Sequence, residues 1–170
     1  MCSKADLCRL LLTGLVWLVA SAGWAGSPKA DWWVGRVLAV TDGDTLRVED
    51  AAGRKVSVRL EGVDAPELRQ CGGPAARDAL AAWVGTRHVL IEPRKTDRYG
   101  RTVARVHRSA GEVGLQLVAA GHAWHYQAYA REQTQAARAA YANAERQARA
   151  RRAGLWACDA PEPPWTFRRR

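Results

Sequence analysis

The stretch Thr45-Leu46-Arg47-Val48-Glu49-Asp50-Ala51-Ala52-Gly53-Arg54-Lys55-Val56-Ser57-Val58-Arg59-Leu60 reads as two strands and the loop between them. Thr45 to Glu49 is one strand, Asp50-Ala51-Ala52-Gly53 a hairpin loop, and Lys55 to Leu60 the next strand. Side chains alternate along a strand, so Val56 and Val58 share one face while Lys55, Ser57 and Arg59 share the other. Upstream, the β-rich segment Trp32 to Val40 ends at the turn Thr41-Asp42-Gly43. Three strands joined by short turns predict an antiparallel meander.

Working outward, Pro66 to Gly73 is irregular. Pro74 opens a helix that runs to Val84, with Ala75, Ala76, Ala79, Leu80 and Trp83 at three- and four-residue spacing, and Gly85 ends it. Val89-Leu90-Ile91 is a buried strand and Thr102 to Arg108 another. Glu112 to Ala120 is a short helix closed by Gly121. Gln133 to Ala153 is the longest helix, with Ala137, Ala140, Tyr141, Ala144 and Ala148 as its buried stripe. Five short strands with three helices between and after them predict an α+β fold: a five-stranded Greek-key β-barrel of the OB type.

The chain has 170 residues, room for one ordinary domain. The net charge is +9 and the isoelectric point about 10.0, which favours polyanions, nucleic acid first and anionic membrane surface second. Residues 1–25 read as a secretory signal: Lys4 and Arg9, then the apolar run Leu10 to Ala20, then Gly23-Trp24-Ala25 with cleavage after Ala25. The run is shorter than the ~20 residues a membrane-spanning helix needs, so no anchor is expected. The chain therefore divides into signal 1–25, linker 26–33, domain 34–158 and a Pro/Arg-rich tail 159–170, and a periplasmic or secreted destination is expected. Nothing demands an oligomer, and a monomer is expected.

Cys71 and Cys158 remain after the signal is removed. An even pair in an oxidising compartment reads as a disulfide; two buried thiols are the alternative. Chain entropy puts such a bridge at about 4–5 kcal/mol for a loop of this length.

Two blocks carry chemistry. The first holds Asp42-Gly43-Asp44-Thr45, then Arg59-Leu60-Glu61-Gly62-Val63-Asp64-Ala65-Pro66-Glu67; the second is Asp97-Arg98-Tyr99-Gly100-Arg101. If the strand ends at Asp44 and Asp64 are neighbours, two carboxylates converge on one hard cation, Ca²⁺ or Mg²⁺, with a flexible site favouring Ca²⁺. Glu67, aimed by Pro66, can orient a water or take its proton. Arg59 and Arg101 match phosphate geometry and stay charged. Singly, each residue also has a plain structural reading: Asp42 as a turn residue, Arg59 as a solvated strand residue, Asp64 as a loop cap. His88, His107, His122 and His125 are scattered, which argues against a histidine- or zinc-based site. Arg168-Arg169-Arg170 reads as a solvated end that adds salt-sensitive attraction to nucleic acid.

From Val34 to Trp156 these blocks and their spacing resemble the thermonuclease (staphylococcal or micrococcal nuclease-like) family. The resemblance implies an OB-type barrel with three helices and a Ca²⁺-dependent endonuclease acting on DNA and RNA. In that family water attacks phosphorus in line and leaves 3′-phosphate ends. It further implies Asp44, Asp64 and the Ala65 carbonyl as Ca²⁺ ligands, Glu67 as general base or water-orienting group, and Arg59 and Arg101 on the phosphate. Tyr99, with Tyr126 and Tyr129, would stack on a nucleotide; core packing is the other reading for the last two. The rival to a nuclease is a catalytically silent OB-type nucleic-acid-binding module. A third reading is an envelope structural or interaction domain whose basic surface meets anionic lipid or polymer.

Overall fold

The computed structural model describes residues 32–170; the expected signal segment 1–25 and positions 26–31 of the expected linker lie outside them. Strands β1 (Trp33–Val40), β2 (Thr45–Glu49) and β3 (Lys55–Leu60) form the expected meander. Leu46 lies opposite Val58 and Val48 opposite Val56. The hairpin loop is set by Asp50, whose carboxylate accepts the backbone N–H groups of Ala52 and Arg54, each at 2.9 Å. This is the local bonding that makes aspartate a turn residue.

Strand β5 (His88–Thr96) pairs antiparallel with β1 and with β6 (Thr102–Arg108). Strand β3 then pairs parallel with β6, Val58 opposite Thr102 and Leu60 opposite Ala104, and this pairing closes a mixed five-stranded barrel. The α+β, OB-type fold expected from the sequence is the fold observed. Strand β5 runs well beyond the expected Val89–Ile91. Pro93 interrupts its apolar pattern, and the register shifts between Pro93 and Lys95, so the strand continues through a bulge.

Between β3 and β5 lie the two-residue strand β4 (Val63–Asp64) and helix α1 (Gly73–Val84). After β6 come β7 (Gly111–Glu112), α2 (Val113–Ala119), β8 (Trp124–His125) and α3 (Gln135–Ala150). Helix α3 begins where the Thr134 side chain accepts the Ala137 N–H, a cap of the usual kind. Its buried stripe is Tyr141, Ala144 and Ala148; Ala140 faces solvent.

The core fills the barrel and the space beneath α1, α2 and α3. Leu46, Val48, Val58, Ile91 and Val106 come from strands, and Leu80, Leu117 and Tyr141 from helices. Each large aliphatic side chain buried there contributes about 1.5–3 kcal/mol. The Tyr141 hydroxyl donates to the Glu112 carboxylate, so the one polar atom that α3 sends into this core is satisfied.

Cys71 and Cys158 form a disulfide across 87 residues, with Cα atoms 6.3 Å apart. Residues 159–170, expected as a tail with a solvated end, fold back on the domain instead. Pro164 is buried, and Pro164–Phe167 form a short helical turn, α4. Trp165 packs with Trp124, Leu155 and Trp156 in a second, smaller apolar cluster. Four aromatic or aliphatic groups meeting there supply the burial that a solvated tail lacks.

Candidate active site

The site starts at the β1–β2 turn. The Asp44 N–H donates to Asp42 Oδ1 at 3.0 Å, and the Thr41 N–H to the Thr45 carbonyl at 2.9 Å. A Cβ on Gly43 would stand 2.6 Å from the Ala65 Cβ and 2.8 Å from the Ala76 Cβ. Only glycine lets this turn press against the loop after β4 and against α1. That close approach carries the Asp44 carboxylate inward. Its Oδ2 accepts the Ala65 N–H at 2.9 Å and its Oδ1 the Thr45 hydroxyl at 3.0 Å.

Asp64 ends β4, and its side chain is fully buried. Strand β4 is held by β8, with Val63 opposite His125 and Asp64 opposite Trp124. Arg59, on β3, spans the two acids. Its Nη2 donates to Asp64 Oδ1 at 3.0 Å, and its Nη1 lies in ion-pair contact with Asp44 Oδ2. That Nη1 has no acceptor in hydrogen-bonding geometry. Its ion-pair partner is Asp44, so binding an incoming anionic oxygen means exchanging that carboxylate for it.

The electrostatics follow from crowding acids in a dry place. Burial, reinforced by the facing Asp44 carboxylate, pushes Asp42 up from 3.8 to about 6. Burial also raises Asp64, against the lowering effect of Arg168 and Arg59. Burial works against the charge on Arg59, but Asp44, Asp64 and Asp42 outweigh it and hold its pKa above the ordinary value. The donor set of Asp44, Asp64 and the Ala65 backbone between them is oxygen-only, which suits a hard divalent cation. Among the described residues no three acidic, histidine or cysteine side chains gather into a complete ligand cage. Water or substrate oxygens would therefore complete the shell.

Glu67 lies beyond Pro66. Its N–H donates to Gln70 Oε1 at 2.8 Å, which fixes the loop. Its carboxylate joins the cluster through a residue that sequence reasoning missed, Arg168. Arg168 Nη1 donates to Glu67 Oε1 at 2.8 Å and to Asp64 Oδ1 at 3.2 Å; its Nη2 donates to Asp64 Oδ2 at 2.7 Å. No local pattern distinguishes Arg168 from Arg169 and Arg170. Asp42 was expected as a turn residue; it is one, and it also belongs to the acidic cluster.

Arg101 stands apart from the carboxylates. Its Nε donates to Asp97 Oδ2 at 2.8 Å, and its guanidinium lies 5.4 Å from the Tyr99 ring centre. It directly precedes Thr102, which pairs with Val58, so its backbone enters the barrel beside the strand that carries Arg59. Tyr99 and Tyr129 are 67% and 49% exposed, open enough to receive a base. Tyr126 is half-buried, stacks edge-on with Tyr129 at 5.1 Å, and donates its N–H to the Gly62 carbonyl. The tyrosine segment is thus tied to the loop that leads into Asp64. His125 is internal: Gln127 Nε2 lies 2.8 Å from its Nδ1 and Gln133 Oε1 2.8 Å from its Nε2.

An OB-type α+β barrel with an arginine-bridged acid pair at its strand ends is the class this geometry defines. The profile of the family described as Staphylococcal nuclease homologue matches residues 57–158. Protein ParB of Escherichia coli is 38% identical over 163 residues, covering 91% of this chain and 86% of that one. An uncharacterized endonuclease of Haemophilus influenzae is 34% identical over 134 residues, covering 79% and 72%. The probable staphylococcal-like nuclease CAN2 of Oryza sativa is 36% identical over 121 residues, 71% of this chain but 31% of the rice protein. The chain thus spans about a third of that relative's length. The chain belongs to the staphylococcal nuclease homologue family.

Proposed function

We propose that this protein is a metal-dependent nuclease that hydrolyses phosphodiester bonds of DNA and RNA with little sequence preference and leaves 3′-phosphate ends. The observation that carries this reading is Arg59 spanning Asp44 and Asp64, residues from three separate segments joined in one buried cluster. Relatives whose names include nuclease and endonuclease support it.

Asp44, Asp64 and the Ala65 carbonyl would hold Ca²⁺, which when bound supplies positive charge to the phosphate and to the oxygens that change charge on it. Arg59, exchanging its acid partners for substrate, offers its guanidinium to a non-bridging phosphate oxygen and strengthens that bond as charge builds on phosphorus. Glu67 orients the attacking water and accepts its proton. Arg101 reaches the phosphate by exchanging Asp97 for substrate, and Tyr99, Tyr126 and Tyr129 stack on bases without reading them. Export by the N-terminal signal, a monomeric state and the lack of a stable membrane anchor complete the proposal. No helix of the described residues is long and apolar enough to cross a membrane.

The test is digestion of single- and double-stranded DNA and of RNA with Ca²⁺, with and without chelator, followed by end-group analysis. Cleavage that needs Ca²⁺ and yields 3′-phosphate ends is expected. Retardation of DNA in a gel with no cleavage under any divalent cation would replace the nuclease by a binding module.

A further inference from the structure

We infer that the C-terminal segment 161–170 is a tethered strap that competes with the divalent cation for Asp64, so that metal loading and tail docking exclude one another. The inference rests on the proposed metal role of Asp64 and concerns the regulation of that same site.

The strap is held at several points. Gln70, which fixes the Glu67 loop, donates from Nε2 to the Glu162 carbonyl at 3.0 Å. Arg170 pairs with Glu162 at 2.6 Å, closing the segment on itself. Trp165 lies 5.6 Å from the Trp124 ring and 5.4 Å from the Tyr126 ring. It therefore covers one of the aromatic side chains proposed to stack on substrate. The helical turn then delivers Arg168 onto the acids.

There Arg168 engages both oxygens of Asp64 and one of Glu67. A carboxylate that ligates a cation must release at least one of those oxygens. A guanidinium and a dication cannot share them closely, because both are positive and the carboxylate is desolvated. A cation entering between Asp44 and Asp64 thus displaces Arg168 as well as the Arg59 guanidinium that bridges the two acids, and the displaced strap frees Glu67 and uncovers Tyr126.

The contact is strong enough to matter and weak enough to reverse. Paired, charge-assisted hydrogen bonds to a fully buried carboxylate exceed an ordinary surface ion pair. Yet the Arg168 side chain is 44% exposed, so water and salt screen it. Tethering supplies a high local concentration with no new chain to recruit. A strap docked about nine-tenths of the time weakens the apparent cation affinity about tenfold.

Calcium titration calorimetry on the purified chain, on R168A and on R169A tests this. Arg169 enters no ion pair among the described residues, so R169A controls for loss of one positive charge. R168A is expected to bind Ca²⁺ about tenfold tighter than the unaltered chain, and R169A to match it. Hydrogen exchange at amides 165–170 is expected to speed up when Ca²⁺ is added to the unaltered chain. Equal or weaker Ca²⁺ binding by R168A, or tail amides better protected with Ca²⁺, overturns the strap. Cleavage is scored separately. Tenfold tighter binding without DNA cleavage keeps the strap and removes the nuclease reading, and cleavage with unchanged affinity does the reverse.

Discussion

The carboxylate of Asp44 accepts the backbone N–H of Ala65 at 2.9 Å. One side chain thereby links the β1–β2 turn to the residue that follows Asp64. The acid pair is set by this bond and by Arg59 before any ligand arrives, so the two carboxylates are positioned in advance, with Arg59 on the oxygens a shared cation would take. Preorganised charge is where enzymes obtain much of their rate.

Glu67→Gln keeps the shape of the side chain and its capacity to accept a hydrogen bond from Arg168, but it cannot take a proton at neutral pH. The turnover rate on DNA should fall by about 10²–10⁴-fold. Calcium affinity should not fall, because Glu67 is not placed between Asp44 and Asp64, and it should rise modestly as the neutral side chain holds Arg168 less tightly. Parallel kinetics and calcium titration check both halves. Full turnover by the variant would remove Glu67 from the reaction.

Arg59→Ala leaves two buried carboxylates facing each other without their shared cation. Breaking such an arrangement by removing one partner costs about 3–5 kcal/mol. Urea unfolding in chelator should register that loss. Calcium at about a hundred times its Kd should return about 2.7 kcal/mol, since a dication can take over the neutralising role. Cleavage should stay low even with calcium, because the group proposed to hold the phosphate is gone.

Acid dependence follows from Asp42, raised from 3.8 to about 6 by burial and by Asp44. Between those two values the unfolded chain has already released the proton that the folded chain retains. The stabilising contribution is therefore complete below pH 4 and is lost as pH rises through about 6. Burial raises Asp64 in the same sense. In chelator, the melting temperature of Asp42→Asn should fall less between pH 4 and 6 than that of the unaltered chain. Parallel curves for the two proteins would contradict the assignment.

Tyr99 is the most exposed of the three tyrosines near the site. Tyr99→Ala should raise KM for single-stranded DNA, since stacking on one base is worth about 1–3 kcal/mol. The turnover rate at saturation should move less than KM. Steady-state kinetics on short oligonucleotides separate the two.

Much of this molecule is legible from local pattern. The Asp50 loop and the valine face of β3 are visible because turn chemistry and strand alternation act over a few residues. The acid pair is legible as a spacing of types, and the structure brings Asp44, Arg59 and Asp64 together. Strands β4 and β8 escape, since two residues carry no period; their pairing is decided by residues about sixty positions apart. Pro93 hides the second half of β5 because a bulge tolerates what a regular strand rejects. Arg168 is invisible for another reason. Its neighbours are also arginines, and only the packing of Pro164 and Trp165 decides which one points inward.

The parallel seam between Val58–Leu60 and Thr102–Ala104 also constrains how the chain comes to be folded at all. During synthesis the meander emerges first but has no lid for its apolar face, because the strand that seals it is made some forty residues later. Until then two strand edges stand unpaired, the condition in which nascent chains stick to one another. Chains dominated by such distant pairings fold slowly, in milliseconds to seconds. For that interval the unpaired edges of β3 and of the strands beside it are the part of this chain most open to pairing with another copy.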